Sequence, residues 1–140
     1  MGTSSIGLIV ATHGNLAEVL VKTAELILGH PAPLRTFQFQ ETEEPRASSG
    51  RLEALIRRCD KGKGVILLVD LFGGTPGSLA LSMLREQSVE VITGVNLPMV
   101  LAACGLAEGQ DLAAASAAIV TAGRDAIKQA GQLLKAGPAA

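Results

Sequence analysis

The chain has 140 residues, 48% apolar and 18% charged, a balance that builds one packed core and excludes a solvated polyelectrolyte. Twelve Lys plus Arg against thirteen Asp plus Glu leave a net charge of -1, and three Phe are the only aromatics besides His, which argues against phosphate-backbone binding and against base stacking. Cys59 and Cys104 fall outside CxxC or Cys/His metal spacings, and two cysteines cannot frame a chain this long, as expected of a reducing compartment.

No positively charged region precedes the apolar stretch of MGTSSIGLIVATHG, and Ile6 stands where a myristoylation signal has Ser or Thr. The longest uncharged run, Val91 to Ala107, is interrupted by Gly94, Asn96, Pro98 and Gly105, so it is not read as a membrane helix. The expectation is one cytoplasmic domain over 1–140, with short loose termini at 1–4 and 136–140.

In chain order, Ser5 to Thr12 reads as a strand buried on both faces and ends at His13-Gly14. Leu16, Val19, Leu20, Ala24 and Ile27 follow helical spacing, with Asn15 as N-cap and Gly29 then Pro31 as stop signals. Leu34 to Gln40 is a weaker strand, and Arg46 to Asp60 a helix carrying Leu52, Leu55 and Ile56. Gly64 to Asp70 is the strongest strand, delivered by GGTP into a helix beginning near Pro76 with Thr75 as its N-cap. Val89 to Thr93 makes a fourth strand. Helices follow at Leu97 to Cys104, within Asp111 to Thr121, and from Arg124 to Lys135. Strands alternating with helices need crossover connections, so the fold class is α/β, a doubly wound, mostly parallel sheet flanked by helices.

Ligands of such sheets sit beyond the carboxyl ends of the strands. There the sequence places Thr12-His13-Gly14, Asp70-Leu71-Phe72-Gly73-Gly74-Thr75-Pro76 and Gly94-Val95-Asn96-Leu97-Pro98. His13, between a strand and a helix, is either a turn residue or a nucleophile or general base. Asp70 closes an apolar run where an unpaired charge is costly, so it needs a partner. With strands one and three adjacent, its carboxylate accepts from His13 Nδ1–H and leaves Nε2 to attack.

GGTPGS serves either as a tight turn or as a phosphoryl-binding helix start. No Lys follows in Walker A fashion, and Arg and Lys are absent from all three motifs. Two helix N-termini, worth about half a charge each, poorly offset a phosphoryl group plus Asp70, so such a site holds a phosphoryl group transiently and passes it on. Thr12 stands where histidine phosphatases have Arg, and a receiver domain would need an acidic pair after strand one. His30 reads as a surface loop residue at the far end of the sheet, and no metal site is expected.

The segments THG, LVKTAELILG, KGVILLVDLFGGTP, VITGVNLPM and GRDAIKQA together resemble the mannose-type enzyme IIA of the phosphoenolpyruvate-dependent sugar phosphotransferase system. The resemblance implies a phosphocarrier in which His13, oriented by Asp70, takes a phosphoryl group from phospho-HPr on Nε2. It then passes that group to an enzyme IIB for sugar uptake. The carrier would need no cofactor, its intermediate being a covalent phosphohistidine. Gly14, Gly74 and Thr75 would contact the phosphoryl group, with Phe72 beside the pocket.

Leu71, Phe72, Leu97, Pro98 and Met99 are candidates for an apolar partner-binding rim. Gly77-Ser78 departs from the Phe-Asn of familiar members. The family fold adds an antiparallel edge strand, often exchanged in a homodimer. No linker to a fused IIB domain follows the last helix, so IIB is expected as a separate protein, with the membrane reached only through a permease. The alternative is a regulatory module of the same fold that senses phosphorylation without a dedicated permease, and a non-covalent anion-binding module is a third reading.

Overall fold

The computed structural model describes residues 5–136. Of the expected loose termini at 1–4 and 136–140, all but Ala136, the C-cap of the last helix, lie outside the described residues. Strands β1 (Gly7–His13), β2 (Arg35–Phe39), β3 (Val65–Val69) and β4 (Val89–Thr93) form one sheet in the order β2-β1-β3-β4. All neighbouring pairs are parallel, so the fold is α/β, as the alternation predicts.

Composition decides which strands are central. The run VILLV of β3 is buried throughout, and so are five consecutive residues of β1. Charged or polar residues interrupt β2 (RTFQF) and β4 (VEVIT), as suits outer strands with one edge open to water.

Helices α1 (Leu16–Leu28), α4 (Leu97–Cys104) and α5 (Leu112–Asp125) cover one face of the sheet. Leu8, Val10, Ile66 and Leu68 point toward them. Helices α2 (Pro45–Cys59) and α3 (Gly74–Leu81) cover the other face, where Ile9, Ala11, Val65, Leu67 and Val69 meet Leu52, Ile56 and Ala80. The alternation of side chains along each central strand therefore feeds two separate cores. Half-burial pushes the Cys59 and Cys104 thiols up from their ordinary pKa, so both stay neutral at neutral pH.

Three expectations about the helices need correction. The buried stripe of α1 is Ala17, Val21 and Ala24, whereas Leu16, Val19 and Ile27 are exposed. Small side chains let the helix lie close to the sheet, which rotates the larger ones outward. Helix α3 begins at Gly74, not Pro76, so Thr75 lies inside its first turn and Gly73 is the N-cap, without a side-chain cap bond. The helix expected from Arg124 to Lys135 is broken: α5 ends at Asp125, Gln129 is extended, and α6 (Ala130–Lys135) buries no residue. Leu133 and Leu134 of α6 are exposed, so helix propensity there works without a packing face to reinforce it.

The chain runs from β1 outward to β2, then returns past β1 to β3. That reversal opens a crevice at the carboxyl ends of β1 and β3, the position where open α/β sheets bind ligands.

Candidate functional site

The register pairs Ala11 with Val69, so the next residues of β1 and β3 bring His13 and Asp70 together across the crevice. Asp70 Oδ2 accepts from the His13 backbone N–H at 3.0 Å and lies 2.9 Å from His13 Nδ1. Its Oδ1 accepts from the Leu71 N–H at 3.0 Å. Partial burial pushes the Asp70 carboxyl up, but the hydrogen bonds from the His13 ring and backbone outweigh it, and the net shift is downward. Asp70 is therefore a carboxylate at neutral pH. Accepting from Nδ1–H, it selects the tautomer whose Nε2 carries the free lone pair.

Thr12 contributes what the sequence reading overlooked. Its side chain is fully buried, and its hydroxyl oxygen accepts from the Ala17 N–H at 2.8 Å. The expected cap, Asn15, makes no side-chain cap bond. Thr12 thus ties the start of α1 to the strand end that carries His13, and fixes the turn between them. Gly14 occupies that turn with φ 55 and is exposed.

The second wall is the loop after β3. Gly73 and Gly74 have φ of 109 and 69, left-handed values that any Cβ would strain. Two such residues turn the chain sharply into α3, so that Thr75 and the backbone N–H groups of its first turn end near the crevice. Thr75 and His13 line one cavity of about 430 Å³.

The third wall comes from the end of β2 and the segment that follows it, where no strand-end motif marks the sequence. Phe39, Glu41, Glu43 and Ser48 line the same cavity as His13, because β2 pairs with β1 up to the level of His13 and Phe39. Phe39 lies 6.4 Å from the His13 ring, centroid to centroid, and Phe37 packs edge-on against Phe39 at 5.2 Å. The RTFQF alternation held this signal, since it places both phenylalanines on one face.

The expected apolar rim divides. Leu71 and Phe72 are exposed, Phe72 at 76%. Leu97 and Pro98 are half-buried, and Leu97 packs against the core. Met99 is a correction: at 4% exposure it is a core residue, turned inward by the Asn96 cap of α4, whose side chain accepts from the Met99 N–H at 3.0 Å. Its side chain fills the space a Cβ on Gly123 would take, 2.5 Å from Met99 Cγ, so α5 can pass only because residue 123 is glycine. Gly77 is buried and Ser78 exposed. His30 is exposed beyond the end of α1, with Nδ1 3.0 Å from the Pro31 carbonyl.

Among the described residues, no group of three or more His, Cys, Asp or Glu is disposed to hold a metal. No helix there is long and apolar enough to cross a membrane.

Residues 7–120 match the family model described as the PTS system fructose IIA component. The mannose-specific EIIAB component of Escherichia coli (strain K12) is 36% identical over 98 residues, which is 69% of this chain and 30% of that protein. The chain therefore spans about a third of that relative's length. The fructose-specific EIIA component of Bacillus subtilis (strain 168) is 30% identical over 104 residues, 74% of this chain and 71% of that one. Among solved structures, the PTS IIA protein associated with the fucose utilization operon of Streptococcus pneumoniae superposes with a TM-score of 0.81. It is 28% identical, with 96% of this chain and 99% of that one covered. With its parallel sheet and its motifs at the carboxyl ends of the strands, the chain belongs to the mannose- and fructose-type enzyme IIA family of the sugar phosphotransferase system.

Proposed function

We propose that this protein is a phosphohistidine carrier of the sugar phosphotransferase system, taking its phosphoryl group from phospho-HPr and delivering it to an enzyme IIB. In the first transfer, the lone pair of His13 Nε2 attacks the phosphorus of the donor's phosphohistidine. The donor's N–P bond breaks, and its electron pair remains on the donor imidazole. Asp70 keeps the Nδ1 proton and offsets the positive charge that develops on the ring. The second transfer is the same step run toward IIB, so no cofactor and no net oxidation is involved.

The observation that carries this reading is the 2.9 Å contact of His13 Nδ1 with the Asp70 carboxylate at the crevice. Gly14, Gly74 and Thr75 would meet the phosphoryl oxygens through the starts of α1 and α3, helped by the dipoles of those helices. No Arg or Lys lines the cavity, and a weakly neutralised phosphoryl group is one that leaves readily. Leu71 and Phe72, with the exposed parts of Leu97 and Pro98, form the surface for the protein partners. We place the protein in the cytoplasm, where both partners would be met, with the membrane reached only through a permease.

The same proposal includes a homodimer that exchanges an antiparallel edge strand. Supporting it, the outer edge of β4 borders a groove of about 750 Å³ that includes Val91, Thr93, Ser116, Val120 and Ile127. Ser116 Oγ is buried there without a hydrogen-bond partner, and Ile127 is 76% exposed.

Intact mass after incubation with phosphoenolpyruvate, enzyme I and HPr tests the carrier reading. One acid-labile phosphoryl group is expected on the wild-type chain and none on His13→Ala. Absence of an adduct with active donors overturns the carrier. An adduct that no IIB protein accepts would instead assign the protein a regulatory role.

A further inference from the structure

Glu43 places a second carboxylate on the wall of the cavity that His13 and Thr75 line. A phosphoryl group brings close to two negative charges, and Asp70 adds one behind the imidazole. Glu41, also on that wall, is exposed and screened by water, but the Glu43 side chain is only 15% exposed. A free Glu43 carboxylate would repel the group that this cavity is built to receive.

Arg51, one side chain further out on α2, answers that charge. Its Nε and Nη2 donate to Oε1 and Oε2 of Glu43 at 2.8 and 2.7 Å, a two-point fork. Nη2 also donates to the Gln38 carbonyl at 3.2 Å, and the guanidinium carbon lies 4.5 Å from the centroid of the Phe37 ring. The cation is held by a carboxylate, by the backbone of β2 and by an aromatic face. Phe37 in turn packs on Phe39, which lies against His13. An ordinary surface ion pair has none of this bracing.

Resting on the carrier reading above, we infer that Arg51 is a positioning residue for phosphoryl transfer, which turns both oxygens of Glu43 onto itself so that the incoming phosphoryl group meets no free carboxylate. Neutralising Glu43 and merely pinning the loop have different consequences. If the pair serves only to pin the loop between β2 and α2, removing either partner or both does the same damage. If it neutralises Glu43, removing Arg51 alone is harmful and removing Glu43 as well repairs the harm.

The test measures initial rates of phosphoryl uptake from phospho-HPr, with kcat and KM separated, for Arg51→Met, Glu43→Gln and the double variant, alongside thermal melting. Arg51→Met is expected to lose about tenfold in kcat, as an uncompensated charge near a reacting anion should. Glu43→Gln and the double variant should stay within about twofold of the wild type. Arg51→Lys keeps the charge but loses the two-point fork and the stacking on Phe37, so its kcat should lie between those of the wild type and Arg51→Met.

A double variant as slow as Arg51→Met overturns the inference, as does an unimpaired Arg51→Met. A tenfold loss in Glu43→Gln overturns it even where Arg51→Met does not fold. A wild-type chain that takes up no phosphoryl group overturns the carrier reading together with this inference, whereas normal wild-type uptake confines any failure to the inference.

Discussion

The crevice at the ends of β1 and β3 and the outer edge of β4 belong to one sheet, yet they are finished to different degrees. At the crevice, one Asp70 oxygen meets both the backbone N–H and the ring of His13, and the Thr12 hydroxyl caps α1 from inside the protein. Each of these groups finds its partner within the chain. Beside β4 the reverse holds: on α5 Ser116 Oγ is buried without a partner, and Ile127, past the end of α5, is exposed. The crevice is a site assembled by strand order. The β4 edge ends the sheet among the described residues, and it is where the proposed exchanged strand would add.

Four experiments separate these regions, ordered from the largest expected effect. His13→Ala should abolish the acid-labile adduct completely while leaving mass in solution unchanged and lowering the melting temperature only modestly, since the ring is exposed but its contact with Asp70 is lost. Ile127→Glu should do the opposite: sedimentation is expected to shift from twice the chain mass to a monomer, with His13 still phosphorylated. A wild-type chain that sediments as a monomer sinks the exchanged strand.

Asp70→Asn keeps the shape of the contact but removes the charge, and an initial rate lower by about ten- to hundredfold is expected from loss of an orienting group. Its pH signature is also specific. The folded pKa of Asp70 is depressed, so its contribution to stability is present above the unfolded value of about 3.9 and is lost as pH falls through the folded value. Melting of the wild type should therefore fall more steeply than that of Asp70→Asn on acidification through this range. Parallel curves would mean that the contact contributes nothing to folding.

Thr12→Val is the mildest change, nearly isosteric but unable to accept from the Ala17 N–H. It should cost about 1 kcal/mol in urea denaturation, the usual effect of losing a cap, and should also slow uptake by loosening the turn that carries His13. A stable variant with normal uptake would show that the cap is dispensable.

Much of this was legible in the residues. Buried strands announced themselves by unbroken apolar runs, and the chemistry-bearing residues followed directly after them, so His13, Asp70 and Thr75 were identifiable as neighbours of strand ends. Element boundaries and faces were less so. Met99 resembles a rim residue beside Leu97 and Pro98, but the Asn96 cap and the close passage of Gly123 turn it inward. Leu16, Val19 and Ile27 fit a helical period, and so do Ala17, Val21 and Ala24; only contact with the sheet chose the smaller set. Past Asp125, alanine-rich composition suggested a continuous helix where the chain breaks and resumes at Ala130.

The sequence by itself determined the α/β class, the central strands and the triad of strand-end motifs, because these depend on local hydrophobicity and on residues adjacent in the chain. Tertiary structure decided which of those motifs meet. The contact of His13 with Asp70 spans 57 positions and exists because β1 and β3 are adjacent. The Phe39 and Glu43 wall exists because β2 flanks β1 on the other side. Strand order is set by how both faces of the sheet are covered at once, a property of the whole core that no single segment encodes.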